Sequence, residues 1–313
     1  MPAGIGAAGS IGVAFETVPG TYVAPTKFIP VRSESLKFMQ EINFTRPIIK
    51  TSVEPVHAVK GPAHIEGDVE WEVLHDCMPY FLHAGRYTVV KGGVGPDFTY
   101  TYTPAATAQE ANETLSITVR RNDVIFGYTG CVLAGMALTV DNGMLVGTMR
   151  MMGRDEAVQA APTETFPETE PFGADSFTLE VPDASAITDA GSFSFDVDES
   201  AEAQFRLGSL AAQYVGYGER NVTAEIERDF IDRTQYDLFK ALTAQSVHLR
   251  SESPANADRF VDILMHSGVM DSYESFLEGQ GDIITAALSF VGKYNFTETN
   301  AYEIIVGTSE DIT

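Results

Sequence analysis

Two cysteines, one tryptophan and six histidines are all that 313 residues contain, and each scarcity removes a class of chemistry. Cys77 and Cys131 stand alone, without CxxC or Cys/His spacing, so no zinc site or disulfide framework is written in the chain. That usage suits synthesis in a reducing compartment and leaves open whether the two pair with each other. None of His57, His64, His75, His83, His248 and His266 belongs to an HExxH or an i,i+4 pair, and His75 and His83 would point about 80° apart on a helix. GxSxG and Walker sequences are missing, which removes local support for triad hydrolysis and for P-loop chemistry. Carboxylates are numerous enough to hide a glycosidase pair, but a single tryptophan is a poor supply of sugar-stacking surface. The expectation is a protein with no catalytic centre, no metal and no cofactor.

Long hydrophobic runs are also missing. No stretch reaches the roughly 18 apolar residues of a membrane helix, and the small, glycine-rich start, Met1 to Ser10, lacks the basic residue of a secretory signal. The chain is therefore expected to be made in the cytoplasm, away from membranes. Bases are scarce too: 20 Lys and Arg face 44 Asp and Glu, a net charge of −24. From Asp155 to Phe205 there are thirteen acids and no Lys or Arg, leaving 31 acids against 20 bases elsewhere. Such a balance argues against gripping nucleic acid, whose phosphates want a basic surface.

What is present is mostly strand. At 44% hydrophobic and 20% charged, the chain has the material for a sizeable core. Thr99 to Thr103 is a β-branched and aromatic run, Leu115 to Arg121 alternates, and Val132 to Val140 alternates into Asp141-Asn142-Gly143 before a return strand over 145–151. Asn-Gly between alternating runs predicts a hairpin, because both central residues must accept positive φ. Phe193 to Val197 and part of 222–230 alternate likewise. Helix signals are few. Thr234, three residues before Asp237, predicts a cap for a short helix with Leu238, Phe239 and Leu242 on its apolar face, and 74–84 is a weaker candidate containing Pro79.

The chain matches itself. At an offset of 157, Gly61, Ile65, Val69 and Glu70 fall on Gly218, Val222, Ile226 and Glu227, and Phe81, Leu82 and Ala84 fall on Leu238, Phe239 and Ala241. Ser35 to Phe38 falls on Ser192 to Phe195. Near the end of each half the offset becomes 139, with Leu145, Met149, Met151 and Gly153 on Ile284, Leu288, Phe290 and Gly292, Leu138 on Leu277, and the 141–143 turn on Gln280-Gly281-Asp282. The first half thus carries an insert between Arg86 and Thr114. These matches predict a β-rich α+β protein of two tandem folds, each with one short helix. The expected boundaries are an N-terminal arm at 1–35, a first fold at 36–155, an acidic Pro/Thr/Glu linker at 156–176, a second fold at 177–295 and a C-terminal tail at 296–313.

Local wording adds a resemblance. Glu16-Thr17-Val18-Pro19-Gly20-Thr21-Tyr22-Val23-Ala24-Pro25-Thr26, then Ile65-Glu66-Gly67-Asp68-Val69-Glu70 before a helix ending Ala84-Gly85, Gly130-Cys131-Val132 before a hairpin ending Met152-Gly153, and Gly216-Tyr217-Gly218-Glu219-Arg220 together resemble the phage major tail tube proteins of about 300 residues. The resemblance implies tandem tube folds of β-sandwich or half-barrel type. It also implies a structural virion protein that self-assembles into stacked rings and passes DNA through its lumen into the host. Rings of that family present six tube folds, so a duplicated chain implies a trimer with pseudo-hexameric symmetry, and an unduplicated one six copies. The implied partners are other copies, adjacent rings, the tape-measure protein, and tail terminator and baseplate proteins, with DNA present only in transit.

Within that frame, Arg46, Lys50 and Lys60 on a long arm, and Lys91 in a glycine-rich loop, are the candidate ring-to-ring contacts, being bases in a chain short of them. Trp71, Met149 and Met151 sit at strand spacing and are read as core or subunit seam. The rival reading is a non-catalytic binding module, such as a carbohydrate-binding sandwich or a phage head or fibre component.

Overall fold

The computed structural model describes residues 9–46, 54–105, 111, 113–182, 184–275 and 284–312. Strands β1 (Ser10–Phe15), β2 (Lys27–Ile29), β3 (Ser33–Glu34), β4 (Lys37–Thr45) and β5 (His57–Glu72) lead into helix α1 (Met78–His83). A hairpin of β6 (Tyr87–Val94) and β7 (Asp97–Pro104) follows, then β8 (Leu115–Arg121), β9 (Val124–Asp141), β10 (Met144–Gly153) and β11 (Asp155–Val158). The later part holds β12 (Phe177–Glu180), β13 (Ala186–Ile187), β14 (Ala190–Asp198) and the small pair β15 (Glu202–Gln204) and β16 (Tyr214–Gly216). It closes with β17 (Asn221–Asp229), helix α2 (Thr234–Lys240), β18 (Gln245–Ser253), β19 (Asn256–Ser275), β20 (Thr285–Gly292) and β21 (Tyr302–Thr308). The protein is β-rich, with antiparallel pairing between its strands and two α-helices among the described residues.

One ladder runs through most of the chain. Its order is β4, β5, β10, β9, β14, β17, β20, β19, each antiparallel to the next. The turn between β9 and β10 is the expected one, with Asn142 at φ 48 and Gly143 at φ 75. Strand β9 serves two sheets. Its first part pairs with β8 and β11, and its second part pairs with β10 and β14. β19 divides its length in the same manner, between β18 and β21 on one side of Gly268 and β20 on the other.

Alternation decides what each face of the ladder does. Val69, Trp71, Met149, Met136, Leu138, Phe195, Ile226, Leu288 and Phe290 point to one side and are buried. Helix α1 closes that side in the first part of the chain, with Phe81 5.5 Å from Trp71 between ring centroids. Pro79 is tolerated there because it lies in the first turn, where its missing N–H leaves no bond unmade.

The second helix departs from its expected form. Thr234 does not cap it with its hydroxyl; instead Asp232 accepts the Thr234 N–H at 2.7 Å, and Asp237 pairs with Arg233 rather than reaching back to a cap. A carboxylate one turn from a guanidinium prefers the ion pair to the neutral cap. Leu242 is not on the helix face but beyond its end, at φ 50 and 69% exposed. His75 likewise precedes α1 rather than sharing it with His83.

The segments expected as arm, linker and tail are threaded into the fold. β1 pairs with β2 and β8. Phe172 is buried, Thr169 donates to Asp76 at 2.6 Å, and Glu164 binds Ser10 and Arg120. β21 lies between β19 and β7, and the residues after it continue onto the first part of the chain. Ser309 binds Asp76, Glu310 binds Lys27, Asp311 binds Lys91, and Ile312 donates to the Tyr100 hydroxyl.

Candidate functional site: an acidic sheet face and an exposed hairpin

The opposite face of the ladder is polar across most of its breadth. On β5 the period of two puts Glu66, Asp68, Glu70 and Glu72 on it, and on β17 Glu225, Glu227 and Asp229. Asp196 and Asp198 of β14, Asp141 of β9 and Glu274 of β19 share the face. Between the acids stand small or neutral side chains: Thr148, Ala137, Ser194, Thr223, Ala287 and Ser289. Among the described residues three Lys or Arg side chains reach the acids of this face. Arg150 binds Asp196, Lys37 lies 3.2 Å from Glu66, and Arg32 lies 3.3 Å from Glu72 and 3.4 Å from Asp141. Each of these bases is engaged by an acid already there. Among the described residues no base pairs with Glu225, Glu227 or Glu274. A shallow groove between β14, β17 and β20 is lined by Ser194, Glu225, Glu227, Glu274 and Ser289. Such a face repels polyanions and offers them no donor cluster.

A second surface is the far end of the β4–β5 hairpin. Past Phe38↔Ile65 the two strands leave the core and stay paired as far as Thr45↔His57. Ile42, Phe44 and Val59 are 56%, 60% and 52% exposed there. A two-stranded ribbon with apolar side chains in water is marginal by itself and calls for a partner. Arg46 and Lys60 are exposed on this ribbon, and Lys50 lies outside the described residues. Lys91 is elsewhere: it binds Asp311 and stands 4.8 Å over the Phe98 ring, held by the protein's own C-terminal segment. Trp71, Met149 and Met151 are buried within the single chain.

Where the two parts of the chain meet, a charged knot is buried. Glu199 accepts from Arg86 and Arg220, Arg86 also donates to the Gly218 carbonyl, and Tyr217 donates to the Leu133 carbonyl at 3.0 Å. Nothing in the sequence marked Glu199 out from its acidic neighbours. The acidic face did have a signal, the acids at 66, 68, 70 and 72 and again at 225, 227 and 229, spaced at the period of a strand. Both cysteines are free and buried, and burial raises their thiols, Cys77 to about 12, so neither is a nucleophile. Among the described residues no cluster of His, Cys, Asp or Glu is arranged to hold a metal ion, and no helix is long and apolar enough to cross a membrane.

No curated protein sequence matches the chain. A family profile described as phage tail tube protein matches residues 6–297. That family is structural and non-enzymatic, in keeping with a molecule whose most distinctive surfaces are a sheet face and a hairpin. The chain belongs to the phage tail tube protein family, and is a structural component of a virion tail.

Proposed function

We propose that this protein self-assembles into stacked rings that form the phage tail tube, with the acidic face of the β4-to-β19 ladder lining the lumen through which DNA passes. The carrying observation is that face: a continuous eight-strand surface bearing acids on β5, β14, β17 and β19, with its few bases already paired. Carboxylates along a channel wall leave phosphate no adhesive site, so DNA slides.

Each chain supplies two tube folds, and three chains make a ring of pseudo-hexameric symmetry. Support comes from the ladder. Val69 faces Met149 and Ile226 faces Leu288, which are the offsets of 157 and 139 found in the sequence. β10 and β9 shift register at Arg150/Met151, leaving Ala134 as the extra residue; β20 and β19 shift at the matching place, Ser289/Phe290, leaving Asp271 extra. The β6–β7 hairpin supplies the insert of the first fold. The folds run over 36–155 and 177–295, with 1–35, 156–176 and 296–313 as the segments that bind them together. Two matches shift by two residues. Phe38 faces Ile65 whereas Val197 faces Val222, so Phe38 corresponds to Val197 and not to Phe195. On β19 the offset from β9 is 137, since Gly135 faces Arg150 and Ser272 faces Ser289; Leu277 and the 280–282 turn lie outside the described residues.

The β4–β5 hairpin, with Ile42, Phe44 and Val59 and the bases Arg46, Lys50 and Lys60, reaches to the acidic surface of the adjacent ring. Tape-measure, tail terminator and baseplate proteins are the further partners, and assembly takes place in the host cytoplasm. Negative-stain electron microscopy of the concentrated protein tests the proposal. Hollow tubes with six-lobed end views and three chains per ring are expected. A protein that stays monomeric at high concentration, alone and with other tail proteins, overturns it.

A further inference from the structure

The ladder ends in two open edges. Among the described residues β4 pairs only with β5, and β19 beyond Gly268 pairs only with β20. Unpaired N–H and C=O groups along a strand are a template for another strand. Resting on the tube reading, we infer that the end of β19 in one copy pairs antiparallel with β4 of the next copy, in the register that the chain uses internally between β9 and β14.

The internal join sets Ala137 opposite Asp196, Met136 opposite Val197 and Gly135 opposite Asp198. Carrying β9 onto β19 by 137 residues and β14 onto β4 by 159, as their pairings dictate, sets Glu274 opposite Lys37, Tyr273 opposite Phe38 and Ser272 opposite Met39. Nothing in that arithmetic knows about charge, yet it brings an acid onto a base on the polar face. On the other face it brings two aromatic rings together. Cross-strand pairs of both kinds are stabilising.

Three further observations favour a second copy as the occupant. The Lys37 side chain is 57% exposed although its ammonium lies 3.2 Å from Glu66, so a second carboxylate can approach it from the open side. Phe38 is a partly exposed aromatic at the sheet edge, and the Tyr273 hydroxyl is buried with no hydrogen-bond partner. The edge of β4 is also stopped at the right place. The Leu36 N–H is bound by Glu34, and its carbonyl accepts from Arg121 and from Tyr128 at 3.2 Å, so a neighbouring strand can pair only beyond it. In the inferred register Leu36 falls opposite Ser275, the last residue of β19.

The test is a cysteine pair in assembled tubes. Oxidised Lys37→Cys/Glu274→Cys protein is expected to give covalently linked chains on a non-reducing gel, while Met39→Cys/Glu274→Cys, two residues out of register, gives only single chains. Native Cys77 and Cys131 are buried and do not interfere. A charge cycle guards against a failure to crosslink for geometric reasons. Lys37→Glu is expected to raise the concentration needed for assembly roughly three- to tenfold, and Lys37→Glu/Glu274→Lys to bring it back to within about twofold. Tubes that form without the crosslink and show no rescue overturn the junction while leaving the tube function standing. A wild-type protein that forms neither rings nor tubes overturns both.

Discussion

Glu199 accepts a hydrogen bond from Arg86 on one carboxylate oxygen and from Arg220 on the other, each at 2.6 Å, with Glu199 and Arg86 both buried. The two arginines come from opposite ends of the junction, one just after α1 and the other just before β17. Removing the carboxylate leaves two guanidinium groups facing each other out of water. Glu199→Gln is expected to destabilise the folded chain by about 3 kcal/mol, read as a lower urea midpoint with an unchanged slope. Arg86→Ala, which leaves Arg220 to satisfy the acid, is expected to destabilise less.

Acid sensitivity is expected in two steps. His83 is packed against Tyr100 and Tyr102, and burial lowers its pKa below the ordinary 6.5. The unfolded chain therefore takes up that proton first. The stabilisation from neutral His83 is complete above pH 6.5 and declines as the pH falls below it. Asp76 follows at lower pH. Burial opposes its charge, but the close contact with His75 at 2.7 Å and the hydrogen bonds from Thr169 and Thr308 outweigh burial and hold the carboxyl well below 3.8. Its stabilisation is complete above about 3.8 and is lost as pH falls through the depressed folded value. Thermal melts across this range check both steps, and Asp76→Asn is expected to flatten the lower one.

Reversing charge on the sheet face should turn a passage into a trap. Tubes of the Glu70→Lys/Glu225→Lys/Glu227→Lys variant are expected to co-sediment with short DNA at about 0.1 M salt and to release it as salt rises. Wild-type tubes are expected to leave the DNA in the supernatant throughout.

On the proposed tube, a change in the hairpin is expected to separate stacking from ring closure. Phe44→Ser/Lys60→Glu removes one apolar and one basic contact at the exposed end of β4–β5, further along β4 than the Lys37–Met39 segment used by the inferred junction. Rings are expected to persist while tubes shorten, as measured by the length distribution in micrographs. A loss of rings would move the hairpin from stacking into the ring itself.

Several features were legible in the residues alone because they repeat with a period. β8 was located to the residue by alternation, and Asn142-Gly143 placed the β9–β10 hairpin. Both helices were found, although α1 carries Pro79 and α2 buries no residue. Register was less legible. On the proposed two-fold reading Phe38 corresponds to Val197 rather than Phe195, and a slip of two keeps every side chain on its own face, so an apolar pattern cannot detect it. Tertiary partners were least legible. Lys91 looked like a base awaiting another ring, and it binds Asp311, 220 residues away in sequence. The Pro-rich stretch reads as a linker, and the structure adds that its Thr169 and Phe172 meet Asp76 and His75 of the first part of the chain. Composition reports how a segment behaves alone, not what it meets.

The placement of β21 sets an order of events. It is made long after β7, yet it fills the gap between β7 and β19, and residues 309–312 then fasten onto side chains placed more than two hundred residues earlier. A nascent chain therefore carries an open slot at that position until β21 has been made. The early strands of this region are thus held waiting for a late one, and a chain cut before Tyr302 would leave β7 and the first half of β19 each with an unpaired edge.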